Sequence, residues 1–276
     1  DLLDEFNLTF NTQLSSHGDY EEWSALFNLE NLVLENENNY KIICPDYLRK
    51  MEKEFADEIA KLPDRELAFA PAGTKTCDDY FKAMCAAANF SWCNKQVITH
   101  FARLSFKKIF SNSELKTVYD VAHNIAKIEE HIIDGKKIKV YMHRKGATRA
   151  FGPNHPEIPK DYQKVGQPAI IPGSMGTASY VLVGTNEGMI ETLGSTAHGA
   201  GRLMSRHQAI NDFNGDAITK DLKDKQGIIV KGHSIKGIAE EAPNAYKDID
   251  SVAQVSQDAH IANMVVRLKP MGVVKG

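Results

Sequence analysis

The sequence predicts an α+β fold with mixed sheets and helices, and three observations carry that prediction. Two stretches in the first half repeat apolar residues at helical spacing: Leu48, Met51, Phe55 and Ile59, then Phe81, Met84, Ala88 and Trp92. An Asp134-Gly135 pair lies between residues of strand character, the signature of a tight hairpin. Beyond it, strand-like and helix-like segments follow one another without a regular β-α-β rhythm. Neither G-x-G-x-x-G nor G-x-x-x-x-G-K-S/T occurs, which argues against a doubly wound or P-loop sheet.

Taken in order, residues 1–45 read as a divergent, weakly ordered segment, because Asn28 to Tyr40 is crowded with Asn and Glu and has little periodicity. From Asp46, placed to cap, an amphipathic helix runs to about Ile59, with Pro63 just beyond its end. A second helix spans about Asp79 past Phe101; its apolar residues lie almost all the way round, so it is expected to be deeply buried. A strand ends near His123, in Val118-Tyr119-Asp120-Val121-Ala122-His123-Asn124. The hairpin follows over His131 to Met142, where Ile138, Val140 and Met142 alternate with Lys139 and Tyr141. Further strands are expected at about Ala169–Ile171, Ser179–Val183, Ile228–Lys231 and Val265–Leu268, with helices after His198 and around Ile249–Ala259. At 276 residues the length allows one large domain or two modest ones.

Composition narrows the function classes. Hydrophobic content of 42% and charged content of 25% suit a globular protein, and no apolar run reaches the roughly 20 residues of a membrane span. A formal net charge of −3 gives no global basic signature, so nucleic-acid contact would use a local patch. One such cluster is His143-Arg144-Lys145-Gly146-Ala147-Thr148-Arg149, which suits phosphate or a solvated loop equally. Cys44, Cys77, Cys85 and Cys93 include no C-x-x-C pair and read as reduced thiols. No secretory signal is visible, and the expected location is the cytoplasm.

The chemistry concentrates in Gly194-Ser195-Thr196-Ala197-His198-Gly199-Ala200-Gly201-Arg202. Gly199 and Gly201 can turn backbone N–H groups toward an anion, and Arg202 and Arg206 are four apart if a helix begins there. A packing turn with a structural histidine accounts for the same residues. A second polar, glycine-bearing segment, Ile170-Ile171-Pro172-Gly173-Ser174-Met175-Gly176-Thr177-Ala178-Ser179-Tyr180, offers hydroxyls and amides that suit a phosphate or a guanine edge. His123 reads either as a metal ligand or as a core histidine. Lys275 follows an apolar strand-like run that would anchor it close to the end of the sequence.

From about Asp46 to Gly276 the chain resembles the C-terminal portion of the RtcB family of RNA ligases, also called tRNA-splicing ligases. The resemblance rests on Ala87-Ala88-Asn89-Phe90, Tyr119-Asp120-Val121-Ala122-His123-Asn124, His143 to Phe151, Pro172-Gly173-Ser174-Met175-Gly176-Thr177, His198-Gly199-Ala200-Gly201-Arg202, Glu240-Glu241-Ala242-Pro243 and Val274-Lys275-Gly276. It implies a GTP- and manganese-dependent ligase that joins an RNA 3′-phosphate or 2′,3′-cyclic phosphate to a 5′-hydroxyl. RNA ends and GTP are the implied partners, with an activating protein as a further candidate and no membrane.

By the same resemblance, His198 is the nucleophile that takes up GMP and His123 is a manganese ligand. Asn124, Pro172, Gly173, Ser174, Met175, Ser179, Gly199, Ala200, Gly201, Tyr246 and Lys275 match nucleotide-contacting positions. Arg144, Lys145, Arg202 and Arg206 would supply charge for phosphates. Two features depart from the family pattern. Ala197 stands where members commonly carry cysteine, and the upstream Asp-x-x-Cys, Gly-Asn-His and Ser-Arg-Gly-Leu-Gly-His segments, which hold further metal ligands, do not occur. The chain is therefore expected to be a piece of a longer ligase; the alternative is a catalytically incomplete nucleotide- or RNA-binding paralogue.

Overall fold

The computed structural model describes residues 46–64, 67–112 and 114–275, with the side chain of Lys275 left out. The expectation for residues 1–45, including Cys44, lies outside the described residues. The chain divides into two compact units, Asp1–Ser113 and Glu114–Gly276.

In the first unit, helix α1 (46–54) and the single turn α2 (Ala56–Ile59) replace the one continuous helix expected, with a break at Phe55, whose backbone is non-helical (φ −122°, ψ 41°). Helix α3 (Lys75–Ile109) is 35 residues long, about 50 Å at 1.5 Å per residue. Its start is fixed by Thr74, whose Oγ1 accepts from the Cys77 amide at 3.2 Å, and Lys107 and Lys108 complement the dipole at its end. The deep burial expected of this helix is not found: only Thr76 is buried along it, and Ile98, Phe106 and Ile109 stand exposed. Its apolar residues are spread around the circumference, whereas the described neighbours within this unit are two short helices. Tyr47 packs on Tyr80 at 5.3 Å and Glu54 accepts from the Thr76 hydroxyl, so those helices cover one side only. Cys77, Cys85 and Cys93 are free thiols.

The second unit is α+β, as the sequence predicts. Strands β1 (Asn124–Ile133) and β2 (Lys136–Lys145) form a long antiparallel hairpin whose turn residues, Asp134 and Gly135, both take left-handed backbone (φ 51° and 73°). That is the two-residue turn whose twist matches the strands. The arms extend well beyond the segment expected from sequence, and His123 precedes β1; residues 118–122 form no strand. Strands β3 (Ala147–Arg149) and β6 (Ser195–Ala197) pair antiparallel. A three-stranded sheet runs β4 (Pro168–Pro172), β5 (Ser179–Gly184), β8 (Ala262–Leu268), and β7 (Ile229–Gly232) pairs parallel with β9 (Gly272–Lys275).

Short helices close the unit: α4 (Asn186–Glu191), α5 (Arg206–Asp212), α6 (Gly215–Gln226), α7 (Ile235–Glu240) and α8 (Ile249–Asp258). Each start carries a side-chain cap, from Thr185, Ser205, Asn214, Ser234 and Asp248 in turn, which satisfies amides left open at a helix N-terminus. The period-2 pattern of β5 turns Tyr180 and Leu182 onto α8, where they join Ile171, Ala200, Ile249, Ala253 and Ala262 in the main core. Met175, Leu222, Ile228, Val230 and Ile238 make a second core beside α6. Among the described residues no helix is long and apolar enough to cross a membrane.

Candidate functional site

His198 is delivered by β6. That strand is three residues long, and its pairing sets Ala197 opposite Ala147, Thr196 opposite Thr148 and Ser195 opposite Arg149. Continuing the register by one residue brings His198 to Gly146, which lies at φ +68°; a Cβ built there would stand 3.5 Å from His198 Cε1. Gly146 closes the hairpin, and its amide donates to the His123 carbonyl (3.1 Å) and to Asn124 Oδ1 (3.2 Å). Two remote histidines are thereby brought face to face: the rings of His123 and His198 stack with centroids 4.8 Å apart and planes 10° from parallel. After His198 the chain lies along the end of β4, with the Ala200 amide donating to the Pro172 carbonyl at 3.2 Å. The His198 ring is partly exposed.

A second polar group surrounds Glu241. Tyr246 Oη donates to Glu241 Oε2 (2.7 Å) and accepts from Arg202 Nη1 (2.7 Å), while the Arg202 guanidinium stacks on the Tyr246 ring at 4.7 Å. Burial, and then the Glu241 carboxylate, push the Tyr246 hydroxyl up to about 12, so it stays a neutral donor. The Ser174 hydroxyl is buried and donates to the Glu241 carbonyl at 2.5 Å.

The expected site residues therefore fall into separate roles. His123, Asn124, Pro172, His198, Gly199 and Ala200 converge. Gly201 takes φ +75° and is followed by a backbone bridge between Arg202 and Tyr246, so the helix expected after His198 starts only at Arg206, capped by Ser205. Gly173 donates its amide to the Ala178 carbonyl in the turn between β4 and β5. Met175 (φ 36°) buries its side chain in the second core, so it offers a ligand backbone only. Ser179 opens β5, half-buried, opposite Pro172 and Leu268. The backbone of Lys275 pairs with Gly232.

One expectation about charge is corrected. Arg144 does not offer its charge to a ligand: it is buried, and Nη1 and Nη2 donate to Glu129 Oε1 and Oε2 at 2.7 and 2.9 Å. His131 Nε2 donates to the same carboxylate at 2.9 Å. The reason lies in the hairpin register, which places Arg144, Glu129 and His131 on one face and turns that polar face inward. Ile128 and Ile132, on the opposite face, are exposed, Ile132 to 74%. Lys145 and Arg206 do remain exposed. Among the described residues, no group of three or more His, Cys, Asp and Glu could hold a metal ion.

Residues 39–276 match the family model described as tRNA-splicing ligase RtcB. This chain belongs to the RtcB family. It is 53% identical over 238 residues to tRNA-splicing ligase RtcB of Thermococcus kodakarensis and to that of Methanococcus maripaludis, in each case over 85% of this chain and 49% of the relative. It is 54% identical to the Methanocaldococcus jannaschii protein of the same name over 238 residues, 85% of this chain and 24% of that protein. The chain thus spans about half, or less, of the length of these curated relatives.

Membership in the RtcB family fits the α+β architecture and the order of the quoted motifs. Three groups in this family member escaped the sequence reading: Gly146 as the wall beside His198, Glu241 as the hub of the second cluster, and the buried Glu129–His131–Arg144 set. The last had a signal. Glu129 and His131 alternate with Ile128, Glu130 and Ile132 at period 2, and only the phase was ambiguous.

Proposed function

We propose that this chain carries the nucleotide-accepting site of an RNA ligase of the tRNA-splicing type, with His198 as the residue that takes up GMP from GTP. The observation that carries the reading is the convergence of His198, His123, Gly146 and the Pro172–Ala200 contact from four separate elements. A partly exposed imidazole between a second ring and glycine-bearing backbone suits attack on phosphorus: a neutral ring nitrogen is nucleophilic near pH 7, and small residues let a phosphate approach.

As His198 attacks, the N–P bond forms while the bond from the α-phosphorus to the bridging oxygen breaks, and pyrophosphate leaves. GMP then passes to the RNA 3′-phosphate, breaking N–P and forming a phosphoanhydride. The RNA 5′-hydroxyl attacks that activated phosphorus, closing the phosphodiester and releasing GMP. Asn124 holds the Gly146 turn against His198, and the Gly199 and Gly201 backbone would border the reacting phosphate, the Ala200 amide being taken by the Pro172 carbonyl. A 2′,3′-cyclic end first takes up water at phosphorus, breaking the P–O2′ bond to leave a 2′-hydroxyl and the 3′-phosphate, before this sequence begins.

The donors on the described residues do not fit a complete manganese site. Two stacked imidazoles fall short of the ligand set a catalytic divalent ion takes, and Glu129, Glu241 and their partners are held by arginines. In this reading the other ligands come from the remainder of the full-length protein. A second reading, a nucleotide- or RNA-binding module without catalysis, is favoured by the same incomplete donor set.

Incubation with GTP labelled at the α-phosphorus and manganese separates the two. The full-length protein should acquire an acid-labile label that His198→Ala abolishes, and the 276-residue chain alone should remain unlabelled. Label retained by His198→Ala would overturn the nucleophile assignment, and a full-length protein that binds GTP without labelling would favour the binding module.

A further inference from the structure

Arg144 uses its guanidinium in three directions at once. Besides the two bonds to Glu129, Nε donates to Ser195 Oγ at 2.9 Å and Nη2 donates to the Leu193 carbonyl at 3.1 Å. Ser195 and Leu193 are not near Arg144 in sequence; they are the approach to His198. Leu193 and Gly194 both take left-handed backbone, φ 51° and 65°, a turn that a side chain at 194 could not share, since its Cβ would stand 2.5 Å from Phe151 Cδ1 and 2.7 Å from Met189 Sδ. For leucine that conformation is disfavoured and persists only where surrounding contacts hold it. The Arg144 contact to its carbonyl is one such hold, and the Ala150 amide, donating to the Gly194 carbonyl at 2.8 Å, is another.

We propose that the Glu129–Arg144–Ser195 chain is a positioning device for His198. Glu129, itself aligned by His131, fixes the plane of the guanidinium through a two-point contact, and the guanidinium fixes the start of β6. From Ser195 three residues of paired strand lead to His198, so a tilt at Ser195 is transmitted to the ring and changes its stacking on His123. Stability alone does not call for this arrangement, because well-packed apolar residues serve a buried position as well as or better than an ion pair. What the ion pair adds is direction, and direction is what an in-line attack on phosphorus needs.

The proposal rests on His198 being the nucleotide acceptor, and the test keeps the two apart. In the full-length protein, Ser195→Ala removes the Oγ contact and leaves Arg144 and Glu129 paired. Its first-order rate of GMP attachment at saturating GTP should fall about tenfold, with the KM for GTP close to wild type and a melting temperature lowered modestly, because the buried Arg144 Nε loses its acceptor. Ser195→Thr, which restores a hydroxyl, should recover the rate. In the same proteins, the His198 Cε1–H NMR resonance, set by ring current from His123, should move in Ser195→Ala and return in Ser195→Thr.

A wild-type rate and an unmoved resonance in Ser195→Ala would overturn the positioning role. So would a slow Ser195→Thr with a lowered melting temperature, which marks a packing effect. If wild-type protein takes up no GMP, the acceptor reading fails, and a resonance that moves in Ser195→Ala still upholds the device.

Discussion

Arg144 and Arg202 are each paired with a glutamate, and the two pairs differ in what surrounds them. The side chains of Arg144 and Glu129 are exposed to 1% and 2%, joined by two short bonds and enclosed by the hairpin, the 193–195 turn and Phe151. Those of Arg202 and Glu241 are exposed to 21% and 18%, lie 3.4 Å apart, and depend on Tyr246 to bridge them. A third arginine, Arg206, reaches the same Glu241 only at 3.9 Å, with its side chain 70% exposed. Read as sequence, all three are cations that the family resemblance assigns alike to phosphates. The structure grades them by access to water, and that gradient decides which can serve a ligand and which must serve the fold.

The steepest test is Arg144→Met. The change leaves the Glu129 carboxylate and His131 buried without the guanidinium, and losing one partner of a buried pair costs about 3–5 kcal/mol, readable in denaturant unfolding. Acid offers a second measure. Burial by itself favours the protonated Glu129 carboxyl, but hydrogen bonds from Arg144 and His131 outweigh it and hold the group below the usual carboxylate range. A lowered carboxylate pKa contributes stability that is complete above the ordinary value and is lost as pH falls through the folded one. Wild-type stability should therefore fall in that acid window, and Arg144→Met should lack that step. Equal stability of the two proteins at neutral pH would remove the distinction between the pairs.

Tyr246→Phe probes the half-exposed pair. It deletes one donor and one acceptor between groups that water can still reach, so about 1–2 kcal/mol is expected. Because the folded hydroxyl titrates at about 12, above the unfolded value near 10, its contribution is complete below pH 10 and is lost as pH rises toward 12. The variant should lose stability relative to wild type at pH 8 and approach it in alkali. A loss as large as that of Arg144→Met would mean that Tyr246, and not burial, sets the energetics.

How much of this was legible beforehand follows from what each feature depends on. The hairpin turn, the β4, β5, β7 and β8 segments and the α8 helix are local, and Asp134-Gly135 or the alternation of β5 announces them directly. The meeting of His123 with His198 is not local; it needs the β3–β6 register, which no spacing in the sequence displays, and the resemblance to the RtcB family gave the two histidines their separate roles without their contact. The fate of Arg144 was hidden for another reason. Strand periodicity gives two faces but not which is inside, and here the face with Glu129, His131 and Arg144 went in while Ile128 and Ile132 stayed out. The burial assigned to α3 failed because an apolar circumference describes what a helix can bury, and the amount it does bury depends on neighbours that the helix sequence does not specify.

Arg206→Met should have the smallest effect on the fold and the clearest one on RNA. Its guanidinium lies on the exposed first turn of α5, one long contact from Glu241, and surface pairs of this kind contribute little, so stability should change by no more than about 0.5 kcal/mol. The same exposure leaves the charge available to a backbone phosphate. If the chain handles RNA as proposed, binding of a single-stranded RNA end by the full-length protein should weaken, and the slope of log affinity against log salt should become shallower by about 0.7, the single-strand value for one released counterion. Arg144→Met, compared under conditions where it is folded, should leave that slope unchanged, because its charge is already answered by Glu129. A shallower slope for Arg144→Met and none for Arg206→Met would invert the gradient, and with it the claim that burial, rather than residue type, separates the arginines that hold this fold from those that meet a phosphate.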